Sequence, residues 1–268
     1  MKRKWKEWPK KTVHELNSIS GLVGVGGVLV GGAGAIAATP YVFVAGCALV
    51  GGSILYSGYK AFPRKLLDPN ELIGRNLESL ESLSELSEDL PKVGVVGSSG
   101  TGKSTLIEKL KRNARLPNPT SKVYAVVMRS GGVSPKTFVL LDGAGEELQQ
   151  QFAVAEQSDV LFLIFDHNES KEDALVKNSR LEDHDEFVDQ VLPFLVSRNC
   201  APKHIFLYLN KCDSWSRSKH SGSVENWGEK TKIKFGNLVE GTRITVRPHS
   251  NWSVDDVNLF WNEVESVI

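Results

Sequence analysis

The chain has 268 residues, a formal net charge of zero from 32 basic and 32 acidic side chains, and 41% hydrophobic residues. This length accommodates one domain of about 170 residues and an appendage, and the balanced charge gives no sign of a nucleic-acid partner. The three cysteines, Cys47, Cys200 and Cys212, are too far apart for a metal or redox motif, so a reduced, intracellular setting fits.

Two uncharged segments come first in chain order. No charged residue occurs between Leu16 and Tyr59, where residues 19–38 and 41–59 form apolar stretches of 20 and 19 residues around Thr39-Pro40. Each stretch is about long enough to cross a bilayer as a helix, and abundant glycine lets two helices approach closely in lipid. Because basic residues flank the pair on both sides, the positive-inside rule predicts a multi-pass hairpin in the lipid bilayer with both termini cytoplasmic.

Two other interpretations of this hairpin stay open. Ala35-Ile36-Ala37-Ala38 is similar to a signal-peptide cleavage site. Abundant glycine also leaves both stretches only moderately hydrophobic, which suits a buried core hairpin, or one that dips into the bilayer without crossing it.

Residues 68–90 carry a repeating leucine pattern. Apolar side chains recur at steps of three and four, and acidic residues fill the other positions. The pattern predicts an amphipathic acidic helix that ends before Pro91. Such a helix packs its leucine stripe on the next domain, or it binds a second copy or an effector through residues 72–90. The predicted organisation is a basic segment with the hairpin (1–66), a linker helix (67–91) and a last domain (92–268).

The most informative motif is Gly97-Ser98-Ser99-Gly100-Thr101-Gly102-Lys103-Ser104, which matches G-x-x-x-x-G-K-[ST] at every fixed position. A buried strand is predicted before it and a helix, beginning at Thr105, after it. Glycines let such a loop wrap tightly, so that backbone N–H groups and the helix N-terminus point at phosphates. Lys103 is placed to reach the terminal phosphates and the Ser104 hydroxyl to reach Mg²⁺, and Thr105 is also a candidate nucleotide contact. The alternative is a glycine-rich turn that binds nothing.

Three further motifs follow in order after apolar strands. They are D-x-x-G at Asp142-Gly143-Ala144-Gly145, N-K-x-D at Asn210-Lys211-Cys212-Asp213, and Ser250-Asn251. Together with the phosphate loop, this set resembles the Ras-like and Era-like small GTPases over about residues 92–268. The resemblance implies an α/β fold, with a mostly parallel six-stranded sheet and helices on both faces. It also implies GTP or GDP and Mg²⁺ as ligands.

The same resemblance assigns roles to the motif residues. Asp142 holds the Mg²⁺ water shell, and the Gly145 N–H meets only the terminal phosphate of GTP. The Asp213 carboxylate accepts hydrogen bonds from guanine N1–H and the 2-amino group, a donor pair that adenine lacks. Asn210 and Lys211 brace the base pocket.

Three assignments depend on weaker matches. The Asn251 backbone N–H, after Ser250, matches the family's contact to guanine O6, although Ser-Asn departs from the usual Ser-Ala. The first switch needs a threonine that reaches Mg²⁺, and Thr120 lies in the right interval, with Ser121 as an alternative. Glu146 follows D-x-x-G, where many Ras-like enzymes carry a Gln that orients the attacking water.

The catalytic candidates are accordingly Lys103, Gly145 and Glu146. An equally good account of Glu146 and Glu147 is that both begin the next helix, where acidic residues suit the helix dipole. Gly100 also occupies the place of the Asn found in potassium-assisted relatives. We therefore expect slow intrinsic hydrolysis, raised by a partner or by self-association.

The remaining segments alternate as an α/β chain should. The predicted strands are 91–96, 122–129, 136–142, 160–166, 205–209 and 243–247. The predicted helices are 105–111, 146–157, 181–198, 225–239 and 255–267, with a polar surface loop at 214–223.

The sequence thus predicts a membrane-anchored GTP-binding switch that hydrolyses GTP to GDP and phosphate. Two rival interpretations stay open. One is a membrane-active or assembly-forming hairpin protein gated by a GTPase domain, and the other is a membrane scaffold that binds GTP without hydrolysing it.

Overall fold

The protein is described by a computed structural model that covers residues 66–77, 80–110, 124–130, 135–143, 147–169, 175–197 and 202–268. The predicted hairpin (19–38 and 41–59) lies outside these residues, as do Thr120, Gly145 and Glu146. Across the described ranges, no helix is both long enough and apolar enough to pass through a bilayer.

The chain divides into two compact units. The first consists of Met1–Asp68 with Glu85–Ser87, and the second of Pro69–Ser84 with Glu88–Ile268. In the described part of the first unit, Leu67 pairs with Leu86 in a parallel bridge, and the Ser87 N–H donates to the Leu67 carbonyl at 2.9 Å.

The second unit is built on a mixed sheet of seven strands, in the order β1-β3-β4-β2-β5-β6-β7. The strands are β1 Asn76–Leu77, β2 Lys92–Val96, β3 Tyr124–Arg129, β4 Thr137–Asp142, β5 Val160–Phe165, β6 His204–Leu209 and β7 Arg243–Pro248. Strand β3 is antiparallel to β1 and to β4, and the other pairs are parallel. The α/β fold is confirmed, but the predicted sheet of six strands lacks β1.

Seven α-helices accompany the described strands. They are α1 Pro69–Leu72, α2 Lys103–Leu110, α3 Leu148–Gln157, α4 Asn178–Ser197, α5 Cys212–Trp215, α6 Ser221–Leu238 and α7 Val254–Val267. Helices α2 and α7 pack together on one face of the sheet, where Leu106 and Phe260 join the core. Helix α4 packs against both α3 and α6, and these helices cover the other face, where Trp227 of α6 lies against Phe165 at 4.8 Å between ring centres.

The two central strands β5 and β6 are buried along their whole length. Strands of a parallel sheet that are covered on both faces have no polar side, so they appear in the sequence as continuous apolar runs. Each strand ends at the same sheet edge with a polar residue, Asp166 after β5 and Asn210 after β6. This edge carries the candidate site.

The predicted continuous helix over 68–90 is wrong. The segment contains α1, the two-residue strand β1 and a 3-10 helix at Leu80–Glu85. Gly74 interrupts the helix with a φ of 77°, and its N–H donates to the Val127 carbonyl at 2.8 Å. Pairing with β3 satisfies backbone groups at the sheet edge, and this outweighs the leucine spacing. A partner-binding helix over 72–90 therefore has no basis in the structure.

The predicted surface loop at 214–223 needs a correction as well. Helix α6 already begins at Ser221, and Trp215 is fully buried at the end of α5. The Trp215 indole N–H donates to the Asn210 carbonyl at 2.9 Å. The start of the loop at residues 216–220 is therefore anchored to the N-K-x-D motif through Trp215.

Candidate functional site

The phosphate loop connects β2 to α2 and depends on glycine at three positions. Gly97, Gly100 and Gly102 have φ values of 151°, 78° and 98°, which side chains rarely adopt. A Cβ at Gly97 would lie 2.3 Å from the Ile164 carbonyl oxygen. The loop therefore passes directly against β5 at Gly97, where glycine is required for that approach.

Lys103, the first residue of α2, is buried over this loop. Its Nζ donates to the carbonyl oxygens of Gly97 at 2.5 Å and Ser98 at 2.9 Å. Burial lowers the pKa of Lys103 to about 8, even though the charge of Asp142 acts in the opposite direction, and nearby Arg180 lowers it further. A buried ammonium beside a loop of backbone N–H groups is suited to an anionic ligand.

The residues predicted for Mg²⁺ lie on adjacent elements. Asp142 ends β4 and is paired in register with Val95 of β2, two residues before Gly97. Ser104 lies in the first turn of α2. A hydroxyl and a carboxylate are the hard oxygen ligands that Mg²⁺ prefers, so the donor set fits. The third predicted ligand, Thr120, lies outside the described residues.

The base motifs meet the phosphate loop through two buried amides. Asn210 Nδ2 donates to the Thr101 carbonyl at 2.7 Å, and Asn251 Nδ2 donates to the Gly102 carbonyl at 2.8 Å. A Cβ on Gly102 would lie 2.4 Å from the first amide nitrogen and 2.7 Å from the second. Two motifs that lie far apart in sequence therefore converge on a single glycine of the loop.

The other residues of the base motifs are held in different ways. Lys211 has a φ of 59°, and its Nζ donates to Asp166 at 2.6 Å and to the Asn168 carbonyl at 2.7 Å. Asp213 is exposed in the first turn of α5, where its carboxylate is accessible to a ligand. The Ser250 N–H donates to the Asp256 carboxylate at 2.8 Å, which fixes the start of the Ser-Asn turn.

A buried histidine supports that turn. His249 Nε2 lies 3.0 Å from Asn251 Oδ1, and its ring stacks on Tyr208 of β6 with centres 4.5 Å apart. Burial lowers the pKa of His249, so the neutral ring is favoured, and its N–H can donate to the asparagine oxygen. The Tyr208 hydroxyl in turn donates to Glu263 of α7. The base side of the site is thus supported by the sheet and the last helix.

The sequence analysis missed an ion cluster beneath the loop, centred on Asp166. This carboxylate lies 2.7 Å from Arg180 Nε, 2.6 Å from Lys211 Nζ and 3.0 Å from His184 Nε2. Burial alone would raise the pKa of Asp166, but the His184 hydrogen bond and the charges of Lys211 and Arg180 together lower it to about 2. The position of Asp166 at the end of a buried strand was the available signal.

The sequence analysis also missed Gln151 of α3. Its side-chain amide forms two hydrogen bonds with the Gly97 peptide: it accepts from the N–H at 2.7 Å and donates to the carbonyl at 2.8 Å. The helix that follows the D-x-x-G segment is thereby joined to the first residue of the loop. Nothing in the local sequence distinguishes Gln151 from Gln149 and Gln150 beside it.

Gly145 and Glu146, predicted to act at the terminal phosphate, lie outside the described residues, so their roles stay predictions. The structure brings the phosphate loop, Asp142, Asn210 and Asn251 to one edge of the sheet. Such an edge, at the carboxyl ends of parallel strands, is where open α/β sheets bind ligands.

Comparison with known proteins agrees with this geometry. Residues 92–211 match the sequence model of a family described as 50S ribosome-binding GTPase. No protein of known, curated function matches the chain by sequence.

Two solved structures are similar in fold. One is a chain of the signal recognition particle receptor SRb-GTP/SRX complex from Chaetomium thermophilum, with a TM-score of 0.52 and 15% identity, covering 67% of this chain and 99% of that chain. The other is a chain of the mammalian SRP receptor, with a TM-score of 0.51 and 16% identity, covering 66% of this chain and 100% of that chain. At these identities the likeness concerns the fold alone. By sequence, residues 92–211 are thus similar to a GTPase family, and by fold the chain is similar to these two receptor structures.

Proposed function

We propose that this protein binds GTP and GDP with Mg²⁺, hydrolyses GTP to GDP and phosphate, and acts as a nucleotide-dependent switch. The observation that carries the proposal is the convergence of Asn210 and Asn251 on the phosphate loop at Thr101 and Gly102. A single ligand that carries both a base and phosphates would reach both halves of this site.

In this proposal, different residues bind the phosphates, the guanine base and Mg²⁺. Lys103 and the loop N–H groups hold the phosphates, and Asp213 accepts from the guanine N1–H and 2-amino donors. Ser104 and Asp142 hold Mg²⁺, which supplies positive charge that offsets the charge developing on the phosphates. The amides of Asn210 and Asn251 fix the distance between the base motifs and the loop.

Hydrolysis needs a water that is oriented toward the terminal phosphate. Glu146 is the proposed orienting residue, and we expect it to act slowly because a carboxylate next to a phosphate is repelled. Full activity then requires a partner or self-association. The alternative is a membrane scaffold that retains GTP without hydrolysing it. Measuring the rate of GTP hydrolysis distinguishes the scaffold from the switch.

The first experiment measures bound nucleotide and single-turnover hydrolysis in the full-length protein. We expect guanine nucleotides after purification and slow release of phosphate from GTP with Mg²⁺. Lys103→Ala should lose most of the affinity for GTP, because the buried charge proposed to bind the phosphates is removed. Lys109→Ala is the matched control, since Lys109 lies on the same helix but is exposed. A GTP affinity of Lys103→Ala equal to that of Lys109→Ala and the wild type would reject the nucleotide site. GTP that stays bound to the wild type without being hydrolysed would favour the scaffold.

We further propose that the glycine-rich segments at 19–38 and 41–59 anchor the GTPase domain to a membrane. The sequence supports this with two uncharged stretches of about bilayer length between basic flanks. Apolar burial is not screened by salt, whereas attraction of basic flanks to lipid is. The full-length protein should therefore resist extraction by high salt and by alkaline carbonate, and a chain that begins at Leu66 should not sediment with vesicles. Release of the full-length protein by salt alone would reject the inserted hairpin.

A further inference from the structure

Arg180 in the first turn of α4 is an arginine that is almost wholly buried next to the phosphate loop. Its Nη2 donates to the Ser99 carbonyl at 2.6 Å, and its Nε donates to Asp166 Oδ1 at 2.7 Å. Its third contact, Nη1 to Glu169 at 3.9 Å, involves a carboxylate whose side chain is 70% exposed, so solvent weakens that contact. The guanidinium therefore bridges two fixed groups, one on the loop and one at the end of β5.

The Asp166 carboxylate that binds Arg180 also binds Lys211 and His184. Asp166 Oδ2 accepts from Lys211 Nζ at 2.6 Å, while Oδ1 accepts from Arg180 and from His184. Lys211 belongs to the N-K-x-D motif, and Ser99 belongs to the phosphate loop. The chain of contacts from Lys211 through Asp166 and Arg180 to Ser99 thus connects the base motif with the loop by a second route, which does not involve the two asparagines.

The charges in this cluster do not cancel. Arg180 and Lys211 share the Asp166 carboxylate, and Lys103, on which the charges of Asp142 and Arg180 both act, is a third cation. Three cations therefore face two buried carboxylates, Asp166 and Asp142. A buried excess of positive charge is costly without an anionic partner. The di- and triphosphate groups of a nucleotide supply that partner.

We propose that Arg180 is a positioning residue for phosphate binding: it holds the Ser99–Gly100 backbone so that the loop N–H groups face the β-phosphate, and it couples that backbone to Lys211 through Asp166. The inference rests on the proposed function, and it adds a residue outside all four sequence motifs. An arginine is needed because its planar fork donates in two directions at once. A lysine donates from a single nitrogen, whereas the two contacts of Arg180 come from two separate nitrogens, Nε and Nη2, so a lysine does not reproduce this geometry.

The test compares GDP with GMP, which lacks the β-phosphate, by calorimetric titration of the full-length protein with Mg²⁺. Arg180→Met should weaken GDP binding by about tenfold or more, the effect of losing a charge-assisted hydrogen bond, and should change GMP binding much less. The GDP and GMP affinities of Arg180→Lys should be close to those of Arg180→Met. Arg217→Met, which removes an exposed arginine from the loop after α5, should leave both affinities at the wild-type level.

Each result has a distinct meaning. A merely structural role would lower both affinities together and leave the GDP-to-GMP ratio unchanged, which would overturn the inference. Full rescue of the ratio by Arg180→Lys would also overturn it, because charge alone would then suffice. If Arg180→Met does not fold, the double variant Arg180→Met/Asp166→Asn, which removes cation and anion together, is judged by the same ratio. Failure of the wild type to bind GDP would reject the proposed function itself, and the inference with it.

Discussion

Replacing Gly102 by alanine tests the convergence of the base motifs on the phosphate loop. Gly102 has a φ of 98°, and placing a side chain in such a strained backbone conformation costs about 1–3 kcal/mol. The new Cβ would also lie 2.4 Å from Asn210 Nδ2 and 2.7 Å from Asn251 Nδ2. Both amides must therefore move away.

The cost of that movement follows from the hydrogen bonds that are lost. Each displaced amide gives up its bond to a loop carbonyl, at 2.7 Å and 2.8 Å respectively, and each such loss costs about 1 kcal/mol. Added to the backbone strain, the expected destabilisation of Gly102→Ala is about 3–5 kcal/mol. GDP affinity should fall together with stability, since the base motifs lose their support.

Gly100→Ala is the matched control. Gly100 also has a positive φ, of 78°, but the nearest atom to an added Cβ is Arg180 Nη2 at 3.9 Å. Only backbone strain of about 1–2 kcal/mol is expected there. The two variants are compared by urea unfolding without nucleotide and by GDP titration. If Gly102→Ala is no more destabilised than Gly100→Ala, the two asparagine contacts do not hold the site together.

Three other substitutions give separate tests. Asp213→Asn should shift preference from GTP toward xanthosine triphosphate, because the side chain that accepts from N1–H becomes an amide; unchanged GTP preference in competition binding would remove Asp213 from the base pocket. The pKa of Asp166 is lowered from 3.8 to about 2. Its ionised carboxylate therefore adds about 2 kcal/mol to the free energy of unfolding above pH 4, and this stabilisation is lost as the pH falls through 2. The stability gap between the wild type and Asp166→Asn in urea should therefore narrow from pH 5 to pH 2, and a constant gap would contradict the ion cluster. Gly236 lies within α6, and no atom lies within 4 Å of a Cβ added there. Gly236→Ala should therefore raise the free energy of unfolding by about 0.5–1 kcal/mol, and a loss of stability would mean that the new methyl group has no room at this position.

Much of the sheet and of the phosphate loop was predictable because the sequence signals are local. The runs at Val160–Phe165 and His204–Leu209 are wholly buried strands, and a strand with no solvent-facing side shows as an uninterrupted apolar run. The phosphate loop was predictable for the same reason, since its glycines, lysine and serine are adjacent in sequence. Asn210 could be placed beside that loop only through the order of the motifs.

What escaped prediction depends on partners that are distant in sequence. Gln151 contacts Gly97 across 54 residues, and Arg180 contacts Ser99 across 81, and no spacing rule marks either pair. The segment at 68–90 failed for a different reason. Its leucine spacing suits a helix, but Asn76–Leu77 pairs with β3 instead, and hydrogen bonding to a strand that is far along the chain prevails over the local pattern.

The order of the strands has a consequence for how the protein is made. Strands β1 to β4 are complete by Asp142, and β5, β6 and β7 then add in succession to the same side of the sheet. A chain emerging from the ribosome can therefore extend its sheet in one direction as it lengthens. The proposed nucleotide site is complete only when Asn251 contacts Gly102, after the last strand has been synthesised. Because a ligand stabilises only the state that binds it, we expect cellular GTP or GDP to stabilise chains synthesised past this point and to leave shorter ones without that protection.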